Sequence, residues 1–200
     1  MRYLLVFLLA LCVGCSPVNP SDPEPAEPEP AEPEPTPEPD PMPWVTWEEC
    51  GGSEGDHACN VVLEDQNGDE FNLYEQFGSI VVLDFSAMWC GPCNQAGMHS
   101  QDVQDQYRDQ GVLYVTVLIE NGQGIPPGPG DIQDWVDAYD VTDSPVLIGD
   151  RSLLQSSGGP WPLQSWPTFY YIDREMVIRD VDRGYSAQEV IHSIEYMLTL

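Results

Sequence analysis

The sequence predicts an α/β domain built on a central mixed β-sheet, with α-helices on both faces. Residues 80–85 and 112–119 are nearly continuous apolar runs, as expected for buried strands. A mostly polar stretch of helical length, residues 91–110, lies between them. Residues 168–172 and 176–181 indicate two further strands joined by a short polar turn. Strands that alternate with helices and then close in a hairpin favour a sheet flanked by helices.

A β-hairpin is predicted before the first of these strands. Residues 61–63 and 70–73 flank Asn67 and Gly68. An Asn-Gly pair between two apolar runs is typical of a tight hairpin turn. We therefore expect a small N-terminal hairpin in front of the main sheet.

A second helix and a short strand are predicted in the middle of the domain. Residues 121–130 are rich in glycine and proline and therefore indicate a loop. Asp131 is expected to cap the helix that follows. The apolar side chains of this helix recur at helical spacing: Ile132, Trp135, Val136 and Tyr139. Residues 145–148 then indicate a short strand or extended segment.

The last helix begins with an N-terminal signal. Ser186 and Glu189 form the Ser-x-x-Glu pattern of a capping box, in which each side chain bonds to the other residue's backbone N–H. The following apolar residues are spaced to face inward: Val190, Ile191, Ile194, Met197 and Leu198.

Composition and charge exclude some classes of function. The chain has 200 residues, and its formal net charge is −28 with only six basic residues. This balance argues against binding nucleic acid or an anionic lipid surface through charge. The sequence contains no serine–histidine–acid triad, phosphate-binding loop or dinucleotide fingerprint. We therefore expect no bound organic cofactor, and no metal.

Residues 1–15 have the features of a secretory signal. One basic residue precedes an apolar run, residues 4–13, that is too short to span a bilayer. Residues 12–15, Cys-Val-Gly-Cys, resemble the bacterial lipoprotein box, in which the last cysteine, here Cys15, is lipidated. By the same resemblance, Ser16 indicates the outer membrane, facing the periplasm, rather than the inner membrane. The alternative is an ordinary cleaved signal in which Cys15 has no role.

Residues 16–43 form a linker of repeated proline and glutamate. Segments of this composition cannot bury enough apolar area to offset the entropy cost of ordering them. Proline and like charges favour an extended chain, so the linker is expected to hold the folded part up to roughly 80 Å from its anchor. We place the folded domain at residues 44–200.

The chemistry is predicted at Trp89-Cys90-Gly91-Pro92-Cys93, between the first buried strand and the following helix. The thiolate is the nucleophile in disulfide exchange, and the N-terminus of a helix stabilises an anion. Gly91 is expected to leave room beside Cys90. Pro92 suits the first turn because its missing N–H has no helical partner. The spacing lets Cys93 close a disulfide within that turn.

Residues 84–93 and the later Trp166-Pro167-Thr168 resemble the active-site segments of the thioredoxin family. The order of predicted elements over residues 61–200 is similar to the thioredoxin fold. The early hairpin and the insert before Pro167 resemble its TlpA-like branch of exported, membrane-tethered proteins. This resemblance implies a redox-active disulfide, Cys90–Cys93. The alternative is half of a zinc site, which needs a second pair of ligands.

The resemblance implies the catalytic roles. Cys90, at the helix N-terminus, would be the attacking thiolate, and Cys93 would resolve the mixed disulfide. Asp84 matches the buried acid of thioredoxins. Because burial raises the pKa of a carboxyl group, Asp84 would accept the proton of Cys93. The alternative is that Asp84 only bonds to nearby backbone.

The same resemblance implies the shape of the site. Pro167 matches the family's cis-proline, which would present the backbone of Trp166 as a strand edge to an incoming peptide. Trp89 would cover the motif. Trp161 either lines the groove or packs under a loop, and His99 is expected at the surface.

A second cysteine pair, Cys50 and Cys59, flanks a short glycine-rich segment. In an exported protein this spacing indicates a structural disulfide, which stabilises the fold by about 2–3 kcal/mol in the chain-entropy model. The alternatives are a second redox pair, or a metal site that also uses His57.

Together these features predict an exported, lipid-anchored thiol–disulfide oxidoreductase that reduces protein disulfides. The Gly-Pro dipeptide is the one found in reducing thioredoxins. Its partners would be protein thiol and disulfide substrates and an unidentified membrane electron donor, and the chain is expected to be a monomer. The alternatives are an oxidant or isomerase of folding exported proteins, a copper-delivery module and a tethered binding domain with idle cysteines. The copper module would use the cysteine pair as ligands and would need a Met- or His-rich site near the motif, where only Met88, Met98 and His99 are close.

Overall fold

The structure is a computed structural model that describes residues 42–200. The predicted signal, Cys15 and the linker up to residue 41 lie outside the described residues, so the domain boundaries stay predictions. None of the helices within residues 42–200 combines the length and apolar character needed to cross a bilayer.

The main elements follow the predicted order. The strands are β1 (Val62–Glu64), β2 (Glu70–Asn72), β3 (Ile80–Ala87), β4 (Val112–Glu120), β5 (Val146–Ile148), β6 (Thr168–Ile172) and β7 (Ile178–Arg183). The α-helices are α1 (Gly91–Tyr107), α2 (Pro129–Ala138) and α3 (Ala187–Met197). Single turns of 3-10 helix occur at Leu73–Gln76, Arg108–Gln110, Arg151–Leu153 and Gln155–Ser157.

The main sheet is mixed, as the sequence predicts. Its strands lie in the order β5-β4-β3-β6-β7. The three adjacent strands β5, β4 and β3 are parallel, whereas β6 and β7 run antiparallel to their neighbours. The separate antiparallel hairpin of β1 and β2 confirms the prediction from Asn67 and Gly68. The topology therefore places the carboxyl end of β3, where the cysteine motif begins, in the middle of the sheet.

The α-helices pack on one face of this sheet. Val82 and Tyr114 share a core cluster with residues of α1 and α3, and Leu118 shares one with residues of α1 and α2. The alternate side chains, such as Leu83 and Val117, pack instead with the N-terminal segment, the hairpin and the segment between β5 and β6. The expectation of helices on both faces is therefore wrong. The N-terminal segment, the hairpin and the segment between β5 and β6 supply the apolar side chains that cover the second face.

Two local boundaries also differ from the prediction. The N-cap of α2 is Gly128 rather than Asp131, because Pro129 already occupies the first turn. Asp131 lies at the third position, where its carboxylate accepts the Gly128 N–H at 2.8 Å. Met176, predicted to begin a strand, lies in the turn before β7 with a φ of 62°. Ser186 is the N-cap of α3, as predicted.

Candidate active site

Cys90 and Cys93 form a disulfide at the junction of β3 and α1. Cys90 is the N-cap of α1, and its Sγ accepts the backbone N–H of Cys93 at 3.2 Å. Pro92 lies in the first turn. A Cβ built on Gly91 would meet nothing within 4 Å, so the glycine leaves the approach to Cys90 open rather than relieving a clash. This is the geometry in which helix N–H groups stabilise a sulfur anion.

The disulfide has an apolar floor. It shares a core cluster with residues of β3, β4, β5 and α2 and of the loop after α2: Ala87, Leu118, Ile132, Trp135, Val141 and Val146. Cys90 is 5% exposed, whereas Cys93 is 0% exposed. An outside reagent therefore reaches Cys90 first.

In the reduced protein, we expect Cys90 to react with a limiting amount of iodoacetamide well before Cys93, because Cys90 is both more accessible and closer to the helix N-terminus. Mass mapping of the labelled peptides at about pH 7 measures the order. Equal labelling, or faster labelling of Cys93, would contradict the assignment of Cys90 as nucleophile.

Asp84 lies fully buried in β3. Its carboxylate accepts the Ser86 hydroxyl at 2.7 Å and the Tyr114 hydroxyl at 3.0 Å. Burial raises the pKa of Asp84 to about 7, and the two hydrogen bonds partly oppose that rise. Its partners are thus side-chain hydroxyls, not the backbone groups of the alternative interpretation. A carboxyl with this pKa exchanges a proton near neutral pH, although its role in catalysis stays a prediction.

The Trp166–Pro167 peptide bond is cis. Pairing between β6 and β3 begins at Thr168, opposite Phe85, so the backbone of Trp166 lies outside the ladder. The Pro167 carbonyl accepts the Gly184 N–H at 2.8 Å, which ties this turn to the end of β7. The segment before Pro167 therefore has backbone groups that the sheet itself does not use.

Trp89 and Trp166 form an aromatic pair beside the motif. Their ring centroids are 6.0 Å apart in an edge-to-face arrangement, and Trp89 is 49% exposed. The indole N–H of Trp89 donates to Glu120 at 2.7 Å. The sequence reasoning did not identify Glu120. The available signal was an acidic residue at the end of an otherwise apolar strand.

Trp161 is fully buried. Its ring packs against Phe85 and Tyr170, with centroids 5.4 Å and 4.8 Å away. Of the two predicted roles for Trp161, packing in the interior is therefore the one observed.

His99 is exposed, as expected, and its Nδ1 lies 2.9 Å from the Tyr185 hydroxyl. Within residues 42–200, no cluster of three or more His, Cys, Asp and Glu side chains is arranged to hold a metal ion.

Cys50 and Cys59 form the second disulfide. The segment that it closes pairs with the edge of the main sheet, where the Gly55 N–H donates to the Ile178 carbonyl at 2.8 Å. A Cβ on Gly52 would lie 2.5 Å from Pro162, so the segment also packs tightly against the loop that leads to the cis-proline. A metal site at Cys50, His57 and Cys59 would need both of these sulfurs as ligands, but here they are bonded to each other.

Under mild reductant, the Cys50–Cys59 pair should stay oxidised while Cys90–Cys93 opens, because the first bond holds packed structure at the sheet edge. Alkylation followed by mass mapping across a series of glutathione ratios measures both pairs. If both open at the same potential, a redox relay is the better explanation for Cys50 and Cys59.

A sheet of this topology, with a Cys-x-x-Cys disulfide at the N-terminus of α1 and a cis-proline before β6, defines a thioredoxin-fold thiol–disulfide oxidoreductase. The profile of the AhpC/TSA family matches residues 55–181, and the chain belongs to this family. Among curated proteins, it is 29% identical over 145 residues to the thiol-disulfide oxidoreductase ResA of Bacillus subtilis strain 168, covering 72% of this chain and 74% of ResA. It is 28% identical over 137 residues to the thioredoxin-like protein YneN of the same strain, covering 68% and 75% of the two chains.

Solved structures confirm the thioredoxin fold. A putative thiol:disulfide interchange protein DsbE from Chlorobium tepidum matches with a TM-score of 0.60 and 24% identity, over 74% of this chain and 99% of that one. The exposed lipoprotein thioredoxin Etrx1 of Streptococcus pneumoniae matches with a TM-score of 0.56 and 22% identity, over 71% of this chain and 100% of that one.

Proposed function

We propose that this oxidoreductase works as a reductase of protein disulfides outside the cytoplasm. The observation that carries the proposal is the position of Cys90, whose sulfur caps α1 and accepts the Cys93 N–H. In the reduced enzyme the same donors would stabilise the Cys90 thiolate and make it an efficient nucleophile at neutral pH.

The reaction proceeds in two exchanges. The Cys90 thiolate attacks one sulfur of a substrate disulfide, which forms a Cys90–substrate mixed disulfide and releases the other sulfur as a thiolate that takes a proton. Cys93 then loses its proton to Asp84 and attacks the Cys90 sulfur. The Cys90–Cys93 disulfide forms, and the substrate leaves as a second thiolate. Two electrons pass to the substrate, and a membrane dithiol donor restores the reduced enzyme.

The substrate would bind beside the aromatic pair. An extended peptide can add to backbone groups at the edge of a sheet, and the backbone of Trp166 lies outside the β6–β3 ladder. The exposed ring of Trp89 would then cover the reacting sulfurs from the solvent side.

In the cell, the domain would act as a monomer on a tether. The proposal rests on residues 1–15 as a lipoprotein signal, Cys15 as the lipidated residue and residues 16–43 as an extended linker, with the outer membrane as the site of attachment. Labelled fatty acid should be incorporated into the wild-type chain and not into Cys15→Ala. A wild-type chain without label would contradict the anchor.

The reduction potential of Cys90–Cys93 tests the direction of the reaction. We expect a value close to that of reducing thioredoxins, about −270 mV, together with steady reduction of insulin disulfides. A value near about −120 mV would instead indicate an oxidant of folding proteins. Failure to turn over any disulfide substrate, with both cysteines free to react, would favour a binding module, including copper delivery through the cysteine pair.

A further inference from the structure

A buried carboxylate lies behind the active-site tryptophan. Glu120 is the last residue of β4 and is 4% exposed. One carboxylate oxygen accepts the indole N–H of Trp89, and the other accepts the Nε–H of Arg151. Two segments that are distant in sequence, the turn before Cys90 and the 3-10 turn after β5, therefore meet on one side chain.

The backbone brings Glu120 to this position. The register of β3 against β4 shifts between Ser86 and Ala87, so that Ala87 pairs with Glu120. The Met88 N–H then donates to the Glu120 carbonyl at 2.9 Å. Irregularities of this kind redirect side chains at the end of a strand. The Glu120 carboxylate thereby contacts the residue that directly precedes Cys90.

The position of this charge matters for the chemistry. An unpaired buried carboxylate is costly, and a negative charge near the motif opposes formation of a second one on Cys90. Arg151 supplies the compensating charge from a side chain that is itself 57% exposed. Cations are scarce here, since the whole chain has only six basic residues, all of them arginine.

Other ionisable groups on the adjoining segments do not replace this pair. Asp131, at the start of α2, accepts the Gly128 N–H and the Asn121 amide. Asp150, directly before Arg151, accepts the Ser152 N–H. Neither forms a hydrogen bond with Glu120, whose two carboxylate oxygens are occupied by Trp89 and Arg151.

We propose that Arg151 is a positioning residue for thiol–disulfide exchange: it neutralises Glu120, so that this carboxylate holds Trp89 beside the motif without opposing the Cys90 thiolate. The segment between β5 and β6 thus controls the reactivity of the helix-capping cysteine through one ion pair. The inference rests on the proposed function only in taking Cys90 as the nucleophile.

The test compares Arg151→Gln, Glu120→Gln and the double variant. Two readouts need no substrate: the ultraviolet absorbance of the Cys90 thiolate against pH, and the equilibrium of Cys90–Cys93 with glutathione. Arg151→Gln leaves an unpaired negative charge, so it should raise the pKa of the Cys90 thiol. It should also disfavour the reduced form by about two- to fivefold, which corresponds to a potential about 10–20 mV more negative.

The double variant distinguishes charge from structure. Glu120→Gln removes the charge but keeps an acceptor for the Trp89 indole, so adding it to Arg151→Gln should restore the wild-type ionisation and equilibrium. Arg151→Lys keeps the charge and should stay within about twofold of wild type. Arg108→Gln is the matched control, because Arg108 is a 45% exposed arginine paired with Asp105 and Asp143 at the far end of α1. It should change neither readout.

The proposal is overturned if Arg151→Gln leaves both readouts at wild-type values, or if its shift persists in the double variant. A shift of the same size in Arg108→Gln would also overturn it, because the effect would then follow net charge alone. Since both readouts use the protein's own cysteines, a potential typical of an oxidant would contradict the reductase function without affecting this test.

Discussion

Replacement of Asp84 by asparagine should slow resolution of the mixed disulfide by about 10²–10⁴-fold, the usual contribution of general-base catalysis. The first attack by Cys90 should stay close to the wild-type rate, because that step does not require deprotonation of Cys93. Asparagine keeps the shape of the side chain and removes only the base. A trapped-intermediate assay between about pH 6 and 9 follows the two steps separately.

Ser86→Ala provides the matched control. It removes one hydroxyl that donates to Asp84 but keeps the carboxyl group. Because that hydrogen bond lowers the pKa of Asp84, its loss should move the midpoint of the resolution profile to higher pH without abolishing the fast step. If Asp84→Asn resolves the mixed disulfide at the wild-type rate throughout this range, Asp84 is structural and another group is the base.

The raised pKa of Asp84 also predicts how the stability of the protein depends on pH. The pKa of Asp84 is raised from 3.8 to about 7, so between these values the folded state binds a proton that the unfolded state has lost. The contribution of Asp84 to the free energy of unfolding should therefore fall as pH rises from about 4 to 7, by an amount on the order of 4 kcal/mol. Urea unfolding of wild type and Asp84→Asn across this range measures it. Parallel profiles for the two proteins would contradict the raised pKa.

Trp161→Ala should lower the free energy of unfolding by about 3–5 kcal/mol, the usual cost of removing a large buried aromatic side chain. The ring is fully buried and packs against Phe85 and Tyr170. Trp161→Phe is the control and should cost much less. It keeps most of the apolar contact and removes an indole N–H that has no hydrogen-bond partner in the described part of the chain.

Equilibrium unfolding of both Trp161 variants, with insulin reduction measured well below the unfolding transition, tests this packing role. Activity per folded molecule should be retained in Trp161→Phe. A stable Trp161→Ala variant with a raised KM for protein substrates would instead assign Trp161 to the substrate groove.

Much of the fold could be predicted from local patterns. The apolar run that became β3, the Asn-Gly turn between β1 and β2 and the Ser186 cap of α3 were each identified from neighbouring residues. Such features depend on interactions within a few residues, which the sequence displays directly. The predicted cap of α2 was wrong: the helix is capped by Gly128, and Asp131 lies at its third position. An acidic residue is favourable anywhere in the first turn of a helix, so its presence alone does not mark the cap.

The candidate site also combines features that local sequence predicts with contacts between residues far apart in the chain. Cys90 and Cys93 are close because of their spacing, and the strand-to-helix junction that holds them follows from local periodicity. The contact of Trp89 with Glu120, and of Glu120 with Arg151, joins residues 31 positions apart in each case. No local pattern indicates such contacts, because they depend on the register of β3 against β4 and on the path of the segment that follows β5.

The sequence by itself therefore determined the class of domain, the position of the redox pair and most strand and helix positions, since short-range propensity and periodicity decide these. The tertiary structure alone decided that the α-helices share one sheet face, that Trp161 belongs to the core and that Arg151 reaches Glu120. Periodicity shows which side chains are buried but not what buries them. The partners of each buried side chain are set by strand order, by register and by the packing of segments that meet only in the folded chain.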